Sequence, residues 1–156
     1  MRARWIFTLA LALWLAAFGR DRFDAWIGAT VLPQLALEMS VEVLDRDGDL
    51  LRAYTVADGR WRLALPPDKV DPLYLKMLLA YEDKRFREHS GVDPRSVIRA
   101  ALQAVWNGRV VSGGSTLTMQ VARLLEEGTT GEVGGKLRQM RVALALERRL
   151  SKDQIL

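Results

Sequence analysis

The one histidine of the chain, His89, sits in a polar run that reads Glu82-Asp83-Lys84-Arg85-Phe86-Arg87-Glu88-His89-Ser90-Gly91-Val92-Asp93-Pro94. Four of the nineteen acidic side chains fall in that run: Glu82, Asp83, Glu88 and Asp93. Ahead of it stands Pro72-Leu73-Tyr74-Leu75-Lys76-Met77-Leu78-Leu79-Ala80-Tyr81, apolar nearly all the way round a helix, which predicts a buried helix. Glu82 then closes that helix at the mouth of a core. Desolvation and the negative helix end would both favour the protonated form of such a carboxyl group. That tuning suits a general base acting on a hydroxyl group. Asp83 points elsewhere round the helix and is suited to orienting a neighbour. Taken alone, a residue such as Glu82 is more often an ordinary acid at a helix terminus.

His89 cannot build a metal site, because no second histidine and no cysteine exists to join it. It is expected to hold its turn by hydrogen bonding, with Phe86 packed beneath, and Gly91 to allow a close approach ahead of the Asp93 cap. A second candidate is Gly113-Gly114-Ser115-Thr116, which opens a helix and could cradle an anion through backbone N–H groups and hydroxyls. It lacks the lysine and glycine spacing of a phosphate-binding P-loop. The third is Lys136 to Lys152, with six basic residues against the single acid Glu147. Such a patch could meet phosphate, acidic lipid or nucleic acid, or be a solvated helix face. The net charge of +4 does not by itself argue for nucleic acid. The absence of cysteine excludes disulfides, thiolate metal sites and thiol catalysis.

The elements that must position these residues follow from the rest of the pattern. The 156 residues allow one ordinary domain. At the N-terminus Arg2 and Arg4 precede an uncharged run of fifteen residues, Trp5 to Gly19. That run is shorter than the roughly 20 residues of a full bilayer span and no small-x-small cleavage site follows it. Residues 1–22 are therefore read as an uncleaved signal anchor, with Trp5 and Trp14 near an interface, a cytoplasmic N-terminus and the rest exported. A buried globular helix is the alternative. Residues 23–65 are read as a membrane-proximal linker and a small β region. Val41–Leu44 and Leu50–Val56 flank an Asp45-Arg46-Asp47-Gly48 turn, a hairpin signal, and Arg60–Leu65 alternates as a third strand would.

From residue 66 the chain reads as helical. Asp71 caps a helix reaching about Glu82, and Asp93-Pro94 opens another with an apolar stripe of Val97, Ile98, Ala101, Leu102, Val105 and Trp106, ended by Gly108. Ser115 or Thr116 caps a helix to about Leu125. Glu126 to Gly135, with four glycines, predicts a mobile loop, and Lys136 to Leu150 predicts the last full helix. Ser151-Lys152-Asp153-Gln154 is a capping-box pattern, so a further helix is expected to start there. The sequence ends inside that element, which suggests the N-terminal part of a longer protein.

Together the pieces are specific. Glu82-Asp83-x-x-Phe86-x-x-His89-x-Gly91-x-Asp93, then Gly113-Gly114-Ser115-Thr116-x-Thr118-x-Gln120, resembles the glycosyltransferase family 51 domain. This is the peptidoglycan glycosyltransferase of class A penicillin-binding proteins and their monofunctional relatives. The likeness covers about Pro66 to Leu156. Gly-Gly-Ser-Thr-Leu-Thr-Met-Gln-Val-Ala-Arg-Leu-Leu and Lys-Leu-Arg-Gln-Met look like its divergent 1C-type branch. The resemblance implies a mainly α, lysozyme-like domain behind a small β-hairpin region and an N-terminal membrane-anchor helix. It implies lipid II and a growing glycan chain as substrates, Glu82 as general base and undecaprenyl pyrophosphate as leaving group. Asp83, Phe86, His89, Ser115, Thr116, Gln120, Arg123, Lys136 and Gln139 would then be substrate-binding positions, and a Mg or Mn ion could accompany the pyrophosphate. The setting implied is the periplasmic face of a bacterial inner membrane, single-pass, among other cell-wall synthesis proteins and without nucleic acid.

The chain departs from the family pattern at four motif positions. Gln139 stands where most members have a second glutamate, Gly135 replaces an arginine, Met119 a glutamine and Leu124 an asparagine. Gln139 also falls on a stripe with Val142, Ala143 and Leu146, as a polar residue of an ordinary helix would. No Ser-x-x-Lys occurs, so the transpeptidase nucleophile of bifunctional relatives is absent from these residues. Two alternatives stay open: a lysozyme-like lytic enzyme cleaving glycan, and a non-catalytic membrane-anchored piece that binds lipid or partners.

Overall fold

The computed structural model describes residues 2–126 and 133–156. A long helix, α1 (Arg2–Gly28), leads into an extended segment and an antiparallel pair, β1 (Glu42–Leu44) and β2 (Leu50–Ala53). Five further helices follow: α2 (Pro72–Glu82), α3 (Pro94–Asn107), α4 (Leu117–Glu126), α5 (Val133–Glu147) and the short α6 (Lys152–Ile155). The mainly helical expectation with a small β lead-in is what the structure has.

The caps fall where their side chains can work. Asp71 accepts from the Leu73 amide at 2.7 Å, Asp93 accepts from that of Arg95 at 3.1 Å, and Pro72 and Pro94 occupy first helical positions that have no amide to lose. Gly108 ends α3 in the left-handed region, φ 64°. Ser151 and Gln154 form the expected capping box at α6. In the hairpin the Asp45 carboxylate accepts from the amides of Asp47 and Asp49, both at 2.9 Å, a side-chain-closed turn.

Several expectations need correction. α1 runs past Arg22 to Gly28, so the polar residues after Gly19 continue the helix that the apolar run begins. No described helix is long and apolar enough to cross a membrane. Arg60–Leu65 is not a strand. Its ladder reduces to Ser40 N–H donating to the Arg62 carbonyl at 2.9 Å and the Arg62 amide donating to the Ser40 hydroxyl at 2.9 Å. α5 lies about one turn earlier than expected, Val133–Glu147, so Gly134 and Gly135 are helical. The mobile loop expected over Glu126–Gly135 falls, for residues 127–132, outside the described residues.

The largest correction concerns burial. α2 contains no buried residue: Leu73, Tyr74, Met77 and Tyr81 are exposed, and only Leu75, Leu78 and Leu79 are half-buried. α3 likewise leaves Ile98, Leu102, Val105 and Trp106 exposed. An all-round apolar sequence signals a surface that needs cover, not that a neighbour within these residues supplies it. The core lies instead where α4 packs on α5, with Ala122, Val142 and Leu146 buried against Leu32, Val121, Leu125 and Leu150.

The turn after α2 is fastened to this core through Gly91. Its φ is 97°, and a Cβ there would lie 2.6 Å from the Ala143 carbonyl oxygen and 2.9 Å from the Leu144 nitrogen. Both strain and a backbone collision therefore oppose any side chain. Gly91→Ala is expected to cost about 3 kcal/mol or more. Gly108→Ala, left-handed but open on all sides, should cost only about 1–2 kcal/mol. Urea unfolding of the two variants measures the difference, and equal losses would contradict the packing role of Gly91.

Candidate functional site

Asp83 is the residue around which the site is built. It is the C-cap of α2 and only 7% exposed, so its carboxylate must find donors inside the protein. One is the Leu117 amide at 2.9 Å, an unsatisfied N–H at the start of α4, where the helix dipole also favours a negative charge. The other is His89 Nε2 at 2.9 Å. The Gly91 amide donates to His89 Nδ1 at 3.2 Å, which leaves Nε2 to face Asp83. Phe86, 1% exposed, lies edge-on to that ring with centroids 6.3 Å apart. Asp83, Phe86 and His89, expected at the substrate, are thus interior groups that join the first motif to α4.

Thr116 has a similar fate. It is 1% exposed, donates its hydroxyl to the Gly91 carbonyl at 2.5 Å and accepts from the Met119 amide at 3.2 Å. It caps α4 and ties both motifs together, which leaves no free hydroxyl for a ligand. Gly114 explains the pair of glycines: a Cβ on it would come within 3.2 Å of Val97 Cα, so the loop lies flat on the first turn of α3.

The groups that do face outward form one constellation. Glu82 is exposed, and the Gln120 amide donates to its Oε2 at 2.8 Å, so the first turns of α4 aim the carboxylate. Ser115 accepts from Lys136 Nζ at 2.5 Å. Burial, and secondarily the Arg123 guanidinium, lower the Lys136 pKa from its ordinary value. A cleft of about 150 Å³ beside Glu82 is lined by Lys84, Ser96, Arg99, Gly113 and Ser115 among others. The structure therefore brings Glu82, Gln120, Ser115, Lys136 and Arg123 to one side. The desolvation expected at Glu82 is not supplied, since α2 is itself exposed. Lys84 and Arg99 are cleft residues that the sequence reading does not single out.

Gln139 does not join the constellation. It is 7% exposed on the buried stripe of Val142, Ala143 and Leu146, as an ordinary helix position would be. Of the other altered motif positions, Met119 is 1% exposed and Leu124 is exposed. Among the described residues no cluster of three or more acidic or histidine side chains is placed to hold a metal ion. With Lys136 and Arg123 cationic and Gln139 neutral, the donor set does not fit a resident divalent cation.

Two further networks were not anticipated. The basic patch contributes Lys152, which donates to the His89 carbonyl at 2.7 Å and to Glu147 Oε1 at 2.6 Å, and lies 4.3 Å from the Phe86 ring centre. Glu147 also accepts from the Thr118 hydroxyl at 2.6 Å. A buried acid with a lysine five residues on is the only sequence signal this network leaves. The second is Arg85, which donates to the Asp93 carboxylate at 2.5 Å, with the Ser96 hydroxyl also donating there at 2.8 Å. Burial pushes the Asp93 carboxyl up, but the Arg85 and Ser96 hydrogen bonds and the Arg85 charge outweigh it and hold the pKa at about 2.

Because that folded value lies below the ordinary 3.8, Asp93 adds stability that is fully present above about pH 4 and fades as pH falls toward 2. Asp93→Asn is expected to cost about 1–2 kcal/mol at neutral pH and to flatten stability between pH 4 and 2. Urea midpoints across that range check it; an unchanged slope would refute the assignment.

The sequence model of the transglycosylase family matches residues 47–156. Penicillin-binding protein 1C of Escherichia coli (strain K12) is 48% identical over 99% of this chain and 20% of its own length. Penicillin-binding protein 1A of the same strain is 33% identical over 80% of the chain and 14% of its own length. Penicillin-binding protein 1F of Bacillus subtilis (strain 168) is 31% identical over 97% of the chain and 21% of its own length. The chain spans about a fifth of these relatives or less.

Proposed function

The chain belongs to the transglycosylase family, and from that premise we propose that it is part of a peptidoglycan glycosyltransferase that polymerises lipid II. The observation that carries the reading is Glu82, exposed at a cleft and held by Gln120 at 2.8 Å, with the Lys136–Ser115 pair beside it. Glu82 takes the proton from the 4-hydroxyl of the acceptor sugar. The freed oxygen attacks the anomeric carbon of the donor chain, and the bond from that carbon to the pyrophosphate breaks. The electron pair leaves with undecaprenyl pyrophosphate, whose growing negative charge meets Lys136, Arg123 and the Ser115 hydroxyl. Gln120 donates to the carboxylate and fixes its direction. A divalent cation enters only as a companion of the substrate's pyrophosphate.

A lytic reading fits less well. Retaining or inverting hydrolysis uses a second carboxyl group near the scissile bond. Among the described residues the only other acid lining the Glu82 cleft is Asp83, whose carboxylate is buried and held by His89 and the Leu117 amide.

Membrane attachment belongs to the same proposal. Trp5 to Phe18 of α1 shows apolar side chains to solvent on every side, including Trp5, Phe7, Leu9, Leu13, Trp14 and Phe18. Such a surface is stable in lipid rather than water. The fifteen residues Trp5–Gly19 cover about 22 Å against a hydrocarbon core of about 30 Å, a mismatch met by local thinning with Arg4 and Arg20 at the headgroups. The remaining domain then stands on the periplasmic side of the inner membrane, where lipid II and other cell-wall synthesis proteins are met.

Glu82→Gln in the full-length protein is expected to lower lipid II polymerisation by about 10² to 10⁴-fold with unchanged melting. Gln120→Ala should lower it by a smaller factor, because the carboxylate then loses the donor that aims it. Gel analysis of glycan strands reads both. Polymerisation that survives Glu82→Gln would remove the general-base role.

A further inference from the structure

Three arginines of the basic patch spend their donors on the far end of α1. Arg141 Nε donates to the Thr30 hydroxyl at 2.8 Å and Arg141 Nη2 to the Trp26 carbonyl at 2.8 Å, while its guanidinium lies 4.6 Å from the Trp26 ring centre. Arg148 donates to the Asp24 carbonyl at 3.2 Å and pairs with the Asp24 carboxylate. Arg149, just beyond α5, donates to the Thr30 carbonyl at 3.3 Å. Positive groups at a helix C-terminus satisfy its orphan carbonyls and complement its dipole. Ile27 is fully buried, and Leu32 continues the contact into the α4–α5 core.

We infer that Arg141, Arg148 and Arg149 form a clasp that makes α1 a rigid strut, fixing the height and tilt of the Glu82 cleft over the lipid surface. The chain of contacts is continuous. The clasp grips α5, α5 packs on α4, and α4 carries Gln120, which holds Glu82. From Gly19, where the apolar run ends, to Trp26 is seven helical residues, about 10 Å. The gripped turn therefore lies just above the headgroups, too close for a flexible linker to intervene. Given the glycosyltransferase reading, on which this rests, both substrates are lipid-borne and their reacting sugars lie at one height. A cleft free to swing would lose much of the advantage of holding reactants together. The arginines touch no substrate; they are positioning residues.

The test uses the full-length protein in vesicles of phosphatidylethanolamine and phosphatidylglycerol, after replacement of any cysteines outside these residues. This segment has no cysteine, so spin labels at Arg22→Cys and Leu137→Cys report the α1–α5 distance cleanly. A single narrow distance is expected, broadened by Arg141→Ala with Arg148→Ala. The same double variant should polymerise lipid II about tenfold more slowly in vesicles. In detergent with a short-chain lipid substrate it should stay within about twofold of the parent, because there the substrate reaches the cleft without the membrane setting its height. Asp24→Arg should mimic the defect, and adding Arg148→Asp should restore it.

An unchanged distance distribution would overturn the clasp. A broadened distance with parental vesicle rates would overturn its role in positioning. Equal losses in vesicles and detergent with a lower melting temperature would reduce it to a structural contact, again overturning the proposal. A parent inactive in both formats would instead remove the glycosyltransferase reading, while the distances would still decide the strut.

Discussion

A buried carboxylate must be surrounded by donors, and those of Asp83 come from two motifs, the farther donor thirty-four residues along the chain. His89 reaches it from the turn that follows α2, and the Leu117 amide from the start of α4. Removing either partner would leave a charge in a nearly dry interior, which is why the two motifs cannot drift independently. The rest of the site inherits its geometry from this joint. Glu82 is the neighbour of Asp83 in sequence, and Gln120 lies one turn into the helix that Asp83 caps. The 2.8 Å contact between Glu82 and Gln120 therefore follows from where Asp83 is held.

Much of this was legible before any coordinates, for local reasons. Asp71, Asp93 and Ser151 announce helix starts because each side chain reaches an amide two or three residues away. Gly108 announces an end because its backbone is left-handed. Such signals are short-ranged and survive without tertiary knowledge. Glu82, Ser115, Gln120, Arg123 and Lys136, named by resemblance rather than by pattern, lie on one side of the structure.

What was not legible depended on partners distant in sequence. Thr116 and Ser115 are adjacent hydroxyl residues, and nothing local says that Thr116 is consumed by Gly91 while Ser115 meets Lys136. The six basic residues between Lys136 and Lys152 read as one patch, yet Lys136 points to the cleft, Lys152 to Glu147, and Arg141, Arg148 and Arg149 to the end of α1. Burial of α2 failed for a related reason. Hydrophobicity states a demand for cover, and among the described residues no element meets it for Leu73, Met77 or Tyr81.

Lys152 adds a constraint on the order of assembly. It bonds the His89 carbonyl across sixty-three residues of chain. Closing so long a loop costs entropy that only late, simultaneous contacts repay. During synthesis from the N-terminus, His89 emerges long before the lysine that braces it. Until α5 arrives, the turn carrying Asp83 and His89 lacks the backbone that packs against Gly91, and until α6 arrives it lacks its clamp. The first motif is therefore among the earliest parts of the site to be made and among the last to set.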